Sequence, residues 1–222
     1  MQYHWTFLPV FQNASLLWAG ALGTMELVVL SLLLALPIGL LLALVRIARV
    51  PVLSTLATVY VECFRSAPSI ILIYWCYFAL PVLAKVTFSP LTAAVLAVGL
   101  QSASFFCEVF RAGIAAIPRG QWEASRALGM RSHVVFWTIV LPQAIRHIVP
   151  AFLNRLIDLV KTTALAATIA YSDIVYSAMQ ISSKTYRPIE TFSVLGSIFF
   201  VALFAMSFTA RRYEQHLRRV EV

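Results

Sequence analysis

Residues 150–171 read PAFLNRLIDLVKTTALAATIAY. The hydrocarbon core of a bilayer takes about 20 helical residues, so this stretch is long enough to cross. It also carries Arg155, Asp158 and Lys161. Whether it crosses decides the fold, and charges elsewhere in the chain supply the answer. Four other runs, 27–45, 66–84, 86–107 and 191–210, contain no charged residue. Arg46 and Arg49 follow the first run. Arg111, Arg119, Arg126, Arg131 and Arg146 follow the third, and Arg211, Arg212, Arg218 and Arg219 follow the last. Only Lys85 separates the second run from the third, and only Lys184 and Arg187 precede the last. If 150–171 crosses once, eleven basic residues lie on one side and three on the other, with Arg65, Arg155 and Lys161 at membrane depth. If it does not, the C-terminal cluster falls on the wrong side. Basic residues accumulate in cytoplasmic loops, so the N-terminus is expected outside and the C-terminus in the cytoplasm.

The expected fold is an all-α polytopic membrane protein, one domain over 1–222 with about five transmembrane helices. The spans run roughly over 19–45, 55–81, 88–110, 148–170 and 190–211, with a cytoplasmic loop over 111–146. Composition agrees. Hydrophobic residues make up 61% of the 222 and charged residues 12%, against about 25% charged in soluble domains. Mean hydropathy is +0.86. That excludes a soluble domain and a disordered chain. The net charge of +8 belongs to the loops, so no nucleic-acid partner is expected. Cys63, Cys76 and Cys107 show no CxxC spacing and are expected to be buried free thiols. No basic region precedes the first apolar run, so a cleavable signal peptide is not expected. Trp5, Phe7, Phe11 and Trp18 read as interfacial anchors.

The loop itself reads RAGIAAIPRGQWEASRALGMRSHVVFWTIVLPQAIRHIVP from Arg111 to Pro150. Pro118 can start a helix, residues 121–128 favour one, and Gly129 suits its end. The segment 132–145 is short, and Pro142 is expected to break it.

These residues resemble the EAA loop of permease subunits of ABC importers. Glu123-Ala124-Ser125, three residues, Gly129, nine residues and Ile139-Val140-Leu141-Pro142 match its spacing, with Ser125 where Ala is commoner. Residues 60–68 (YVECFRSAP), 108–121 and 159–165 (LVKTTAL) are similar to segments of the polar amino-acid permeases (His/Glu/Gln/Arg/opine type), with Thr162 where an acid is common. The resemblance implies a multi-pass protein of a bacterial cytoplasmic (inner) membrane, working with two cytoplasmic ATPase subunits. It also implies a second permease subunit, identical or homologous, and an extracytoplasmic binding protein that delivers an amino acid. Glu123, Ala124, Ser125, Arg126, Leu128, Gly129, Ile139, Leu141 and Pro142 would couple to the ATPase. ATP and Mg would sit on that partner; no cofactor is expected on this chain, which has no G-x4-G-K-[ST] phosphate loop.

Ionisable groups inside a membrane face protein or water and are functional candidates. Arg155, Asp158 and Lys161 recur every three residues, and with Gln101 they are the candidate substrate path; one acid against two bases leaves a positive face. Glu62 with Arg65, and Glu108 with Arg111, are i,i+3 pairs near span ends, readable as local neutralisation or as an inner gate. His4, His133, His147 and His216 have no metal spacing, and no HExxH or nucleophile–base set points to an enzyme. The alternative is a secondary transporter or channel without an ATPase, but no internal repeat favours it and the long basic loop has no role in it.

Overall fold

The computed structural model describes residues 4–219, with side chains through Gln215. The side chains of His216, Arg218 and Arg219 lie outside the described set. Among the described residues all regular structure is helical. Four helical runs are long and apolar enough to cross a membrane: Ala14–Ala48, Pro90–Ala115, Ser132–Ile169 and Pro188–Gln215. A bent pair, Pro51–Ser66 and Ser69–Ala84, makes a fifth if it is one span.

Two helices form the centre, α2 (Ala14–Ala48) and α6 (Pro90–Ala115). Ser31, Ala35, Gly39 and Ala43 recur every four residues on α2 and are all buried. Helices in lipid gain little from apolar burial, so they associate by close packing of small residues. Gly39 shows how close: a Cβ there would stand 2.9 Å from the Ala103 carbonyl oxygen and 3.0 Å from Phe106 Cβ. On α6 the facing residues Ala93, Ala94, Ala97 and Ala103 are equally small and buried.

The expected second span is not one helix. α3 (Pro51–Ser66) meets the helical stretch Ser69–Ala84, which begins with α4 (Ser69–Tyr74), at 105°. Pro68 disfavours helical geometry at the residue before it, and Ala67 is extended at φ −75°, ψ 133°. The Gln101 side-chain amide donates to the Phe64 and Ala67 carbonyls at 3.3 and 2.9 Å, holding the end of α3 against α6. After α4, a π-helical turn over Trp75–Ala79 leads into α5 (Leu80–Ala84).

Pro142 does not break its helix. From α8 (Ser132–Val135) the chain passes through a π-helical turn, Phe136–Val140, into α9 (Leu141–Thr163) and a 3₁₀ turn, Ala164–Ile169. A proline ring clashes with the carbonyl four residues back, here that of Thr138, which lies inside the wider π turn. Tyr77, four residues before Pro81, lies inside the other π turn. The wider turn moves the clashing carbonyl aside, so the helical run that carries the fourth candidate span begins in what reads as loop. Short α7 (Arg119–Ala127) precedes it. α10 (Ile174–Thr185) packs against α2 and leads to α11 (Pro188–Arg219). Arg187 donates to the His4 carbonyl at 2.8 Å, tying α1 (Leu8–Gln12) and the strip before it to α11. Trp5, Phe7, Phe11 and Trp18 are exposed. Cys76 and Cys107 are buried free thiols, but Cys63 is exposed, because it lies on the face of α3 turned from α6.

Gly39→Leu should force α2 from α6 and destabilise the fold by about 1–3 kcal/mol. Ala19→Leu, on the exposed face, should be near neutral. Thermal unfolding of the two purified variants checks this, and equal midpoints would show that the contact at Gly39 is not tight.

Candidate functional site

α7 projects from the helical body as a short, rigid element. Pro118 caps it, and Gly129 ends it at φ +74°. The Gly129 N–H donates to the Arg126 carbonyl at 2.9 Å and the Met130 N–H to the Ser125 carbonyl at 3.1 Å. This paired closure needs a left-handed residue, the position glycine fills without strain. One face of α7 points inward. Ser125 is buried and donates to the Gln121 carbonyl at 2.6 Å. Trp122 and Met130 pack on Ile117, Val135, Val140 and Ala144. The other face is open: Glu123, Ala124 and Arg126 are exposed, and Leu128 is 80% exposed. Ile139 and Leu141 are half-buried and Pro142 is exposed. They belong to the base of the following helix rather than to the tip. The nine residues predicted for coupling therefore divide between a tip and its support.

The second arrangement lies at membrane depth. Gln101, Ser102 and Phe105 of α6, Ser69 of α4, and Arg155, Asp158, Lys161 and Thr162 of α9 line one cavity of about 320 Å³. The four residues predicted for the substrate path thus come together. Asp158 lies between both bases, 3.4 Å from Arg155 and 3.6 Å from Lys161. It contacts both and cancels one charge. The Arg155 guanidinium lies 4.4 Å from the centre of the Phe105 ring, a cation–π contact that fixes its plane. Beyond Phe105 a second cavity of about 370 Å³ shares Arg155 and Asp158 and adds Arg65, Glu108 and Asn154. Phe105 and Asn154 were not singled out from sequence. Phe105 follows Gln101 by four residues, one helical turn on the same face, and that spacing could have found it.

The predicted pairs fare differently. Glu62 and Arg65 are 4.0 Å apart and exposed, which contributes little. Glu108 bridges two arginines: Arg111 on its own helix at 2.7 Å, and Arg46 of α2. It ties α2 to α6, which no i,i+3 reading reveals. Among the described residues no group of three His, Cys, Asp or Glu side chains is placed to hold a metal ion.

Residues 35–219 match the family described as binding-protein-dependent transport system inner membrane component. The chain belongs to that family. This permease is 34% identical to the arginine transport system permease protein ArtQ of Bacillus subtilis, over 90% of this chain and 91% of the relative. It is 35% identical to the glutamate transport system permease protein GluD of Corynebacterium glutamicum, over 90% and 74%. Among solved structures, a chain of an amino acid ABC transporter described as crystallised with histidines superposes with a TM-score of 0.90. It is 28% identical, over 96% of this chain and all of that one. The MetNI methionine transporter, 24% identical with a TM-score of 0.72, shares the fold. The relatives are translocation subunits rather than enzymes, and so is this chain.

At the far end of the permease from α7, outside the candidate spans, Asp173 begins α10. One carboxylate oxygen accepts from the Tyr176 N–H at 2.7 Å; the other is buried with no hydrogen-bond partner. Burial pushes its carboxyl up to about 6. An unfolded Asp titrates near 3.9, so between roughly pH 4 and pH 6 the folded state binds more protons. Stability should therefore be highest below that window and fall as pH rises through it. Asp173→Asn keeps the acceptor for Tyr176 and removes the charge. At pH 7 it should raise the unfolding midpoint by about 2–4 °C, the shift that roughly 1 kcal/mol gives in a chain of this size. It should also flatten the pH dependence between 4 and 6. A lower midpoint at pH 7 would show that the charged form is the one the site prefers.

Proposed function

We propose that this permease is the membrane subunit of an ATP-driven importer, moving a polar amino acid delivered by an extracytoplasmic binding protein across the inner membrane of a bacterium. Two cytoplasmic ATPase subunits and a second permease, identical or homologous, complete the assembly. The N-terminus lies outside, and the loop with α7 faces the cytoplasm. The observation that carries this reading is α7: held on its inner face, closed by Gly129, and presenting Glu123, Arg126 and an 80% exposed Leu128 outward. An exposed leucine ringed by charges is a docking tip, with an apolar anchor and a polar rim. Alternating access follows when closure of the ATPase pair moves that tip and the helices attached to it.

Glu123→Lys reverses a charge that would enter a groove of the ATPase, at a cost on the order of 2–5 kcal/mol if the site is buried in the complex. Because Glu123 is exposed, folding should be unaffected while uptake falls at least tenfold. Gly129→Val should do the same through the backbone, since a β-branched residue resists positive φ. Nothing lies within 4 Å of an added Cβ there, so the effect is conformational, and Gly129→Asn should retain most activity. Uptake by reconstituted variants checks this. Wild-type rates for both Glu123→Lys and Gly129→Val would remove α7 as the coupling element.

The membrane cavity bears on substrate charge. In the cavity beside Gln101, Arg155 and Lys161 outnumber Asp158, whereas beyond Phe105 the charge of Arg65 is matched by Glu108. A guanidinium can grip a carboxylate through two parallel hydrogen bonds, whereas a cationic side chain meets like charge in a low-dielectric path. Arginine is thus disfavoured and an acidic or zwitterionic amino acid favoured. Uptake of glutamate, glutamine and arginine should be compared in wild type and Arg155→Glu, with the matching binding protein. Wild type should prefer glutamate or glutamine, and Arg155→Glu should weaken that preference at least tenfold. Arginine carried best by wild type, or an unchanged order in Arg155→Glu, would make Arg155 structural.

A further inference from the structure

A third cavity, of about 420 Å³, lies where the ends of α2 and α6 meet the start of α3. Arg46, Arg49 and Arg111 line it together with Ser54 and Thr58, while Ile47, Ile114 and Ala115 form an apolar wall. Its charge is unbalanced. The carboxylate of Glu108 is shared by Arg46 and Arg111; Arg49 has no acidic partner among the described residues. Three guanidinium groups against one carboxylate leave two positive charges facing a small cleft. Arg49 occupies the tight connection from α2 to α3 at φ +53°, so the backbone fixes where its side chain begins. The Thr58 hydroxyl is committed to the Ser54 carbonyl, whereas the Ser54 hydroxyl has no protein partner among the described residues.

We propose that this cleft binds a phosphate group, the headgroup phosphate of an acidic phospholipid. The guanidinium fork suits phosphate oxygens, and basic pockets between helices at a membrane surface take lipid headgroups. Two features favour a lipid over free phosphate. The cleft sits where apolar spans end, at headgroup level. Its rim continues into exposed apolar residues at the start of α3, Val52 and Leu53, and Val50 just before it, along which an acyl chain can lie. The proposal requires only that Ala48 and Ala115 meet one membrane surface, and it holds whatever the chain transports.

The full chain, with any subunits that co-purify, is placed in neutral detergent with phosphatidylglycerol or phosphatidylcholine, and bound lipid is read by native mass spectrometry. Wild type should retain phosphatidylglycerol at least tenfold over phosphatidylcholine. Arg49→Gln, an exposed position that should not disturb folding, should reduce that retention at least fivefold. Arg119→Gln, outside the cleft, should leave it unchanged. A parallel arm measures the unfolding midpoint with millimolar inorganic phosphate. Stabilisation of wild type but not of Arg49→Gln, without lipid preference, keeps the phosphate site and assigns it to a soluble anion. Equal retention of the two lipids with no phosphate effect, or phosphatidylglycerol retention unchanged by Arg49→Gln, overturns the proposal. The readout needs no ATP, amino acid or binding protein, so its failure is separate from a failure of the transport reading.

Discussion

One helical run, Ser132–Ile169, joins the two candidate sites, and its continuity is the constraint on which the account depends. Val135 and Val140 near its start pack in the cluster that holds Trp122 of α7. Arg155, Asp158 and Lys161 farther along line the membrane cavity. From Val140 to Arg155 the helix rises about 22 Å. Only residues 128–131 separate α7 from this run, and Trp122 and Met130 pack on its first turns, so a displacement of α7 would bear directly on the helix that lines the cavity. The π turn before Pro142 preserves that continuity in a sequence that otherwise invites a break.

Beside the run, α2 and α6 form the most closely packed pair of helices. Their contact is built from Ala35, Gly39 and Ala43 against Ala103, Phe106 and Cys107. Such close approach leaves no room for sliding, because packed interiors have few voids. Glu108, shared between Arg46 and Arg111, fixes one end of this pair. The Gln101 amide, bonded to the end of α3, fixes the bend beside the cavity. Gln101 and Phe105 of α6 therefore face Arg155 of α9 across one cavity, an arrangement whose shape would change if the run shifted.

Much of this was legible because membranes impose strict rules. Apolar length and the placement of arginines gave the helical runs. The spacing from Glu123 to Gly129 gave α7 and its stop, since few residues but glycine accept φ +74°. The three-residue spacing of Arg155, Asp158 and Lys161 placed them on one face. The rest was hidden for identifiable reasons. The bend at Ala67-Pro68 lies just after Arg65, at the start of the uncharged run 66–84, and hydropathy gives the length of that run but not its direction. The helix before residue 150 is hidden because Pro142 reads as a stop, when a π turn accommodates it. The bond between Glu108 and Arg46 joins residues 62 apart in sequence, and the i,i+3 neighbour Arg111 masked it. The four-residue repeat of small residues on α2 is present in the sequence, but hydropathy does not distinguish a packing face from a lipid face.

The central claim is that α7 and the charged face of α9 move as one body. Spin labels at positions 128 and 154, and at 154 and 66, in a chain whose three cysteines are replaced by alanine, report it by pulsed electron–electron distances. The assembled transporter would be measured with and without ATP trapped on its ATPase subunits. The account predicts that the 128–154 distance stays constant to within about 2 Å, because α7 is packed on the start of the run through Trp122 and Met130 and the run continues helically to 154, while the 154–66 distance shifts. A 128–154 distance that changes with nucleotide while 154–66 stays fixed would contradict it.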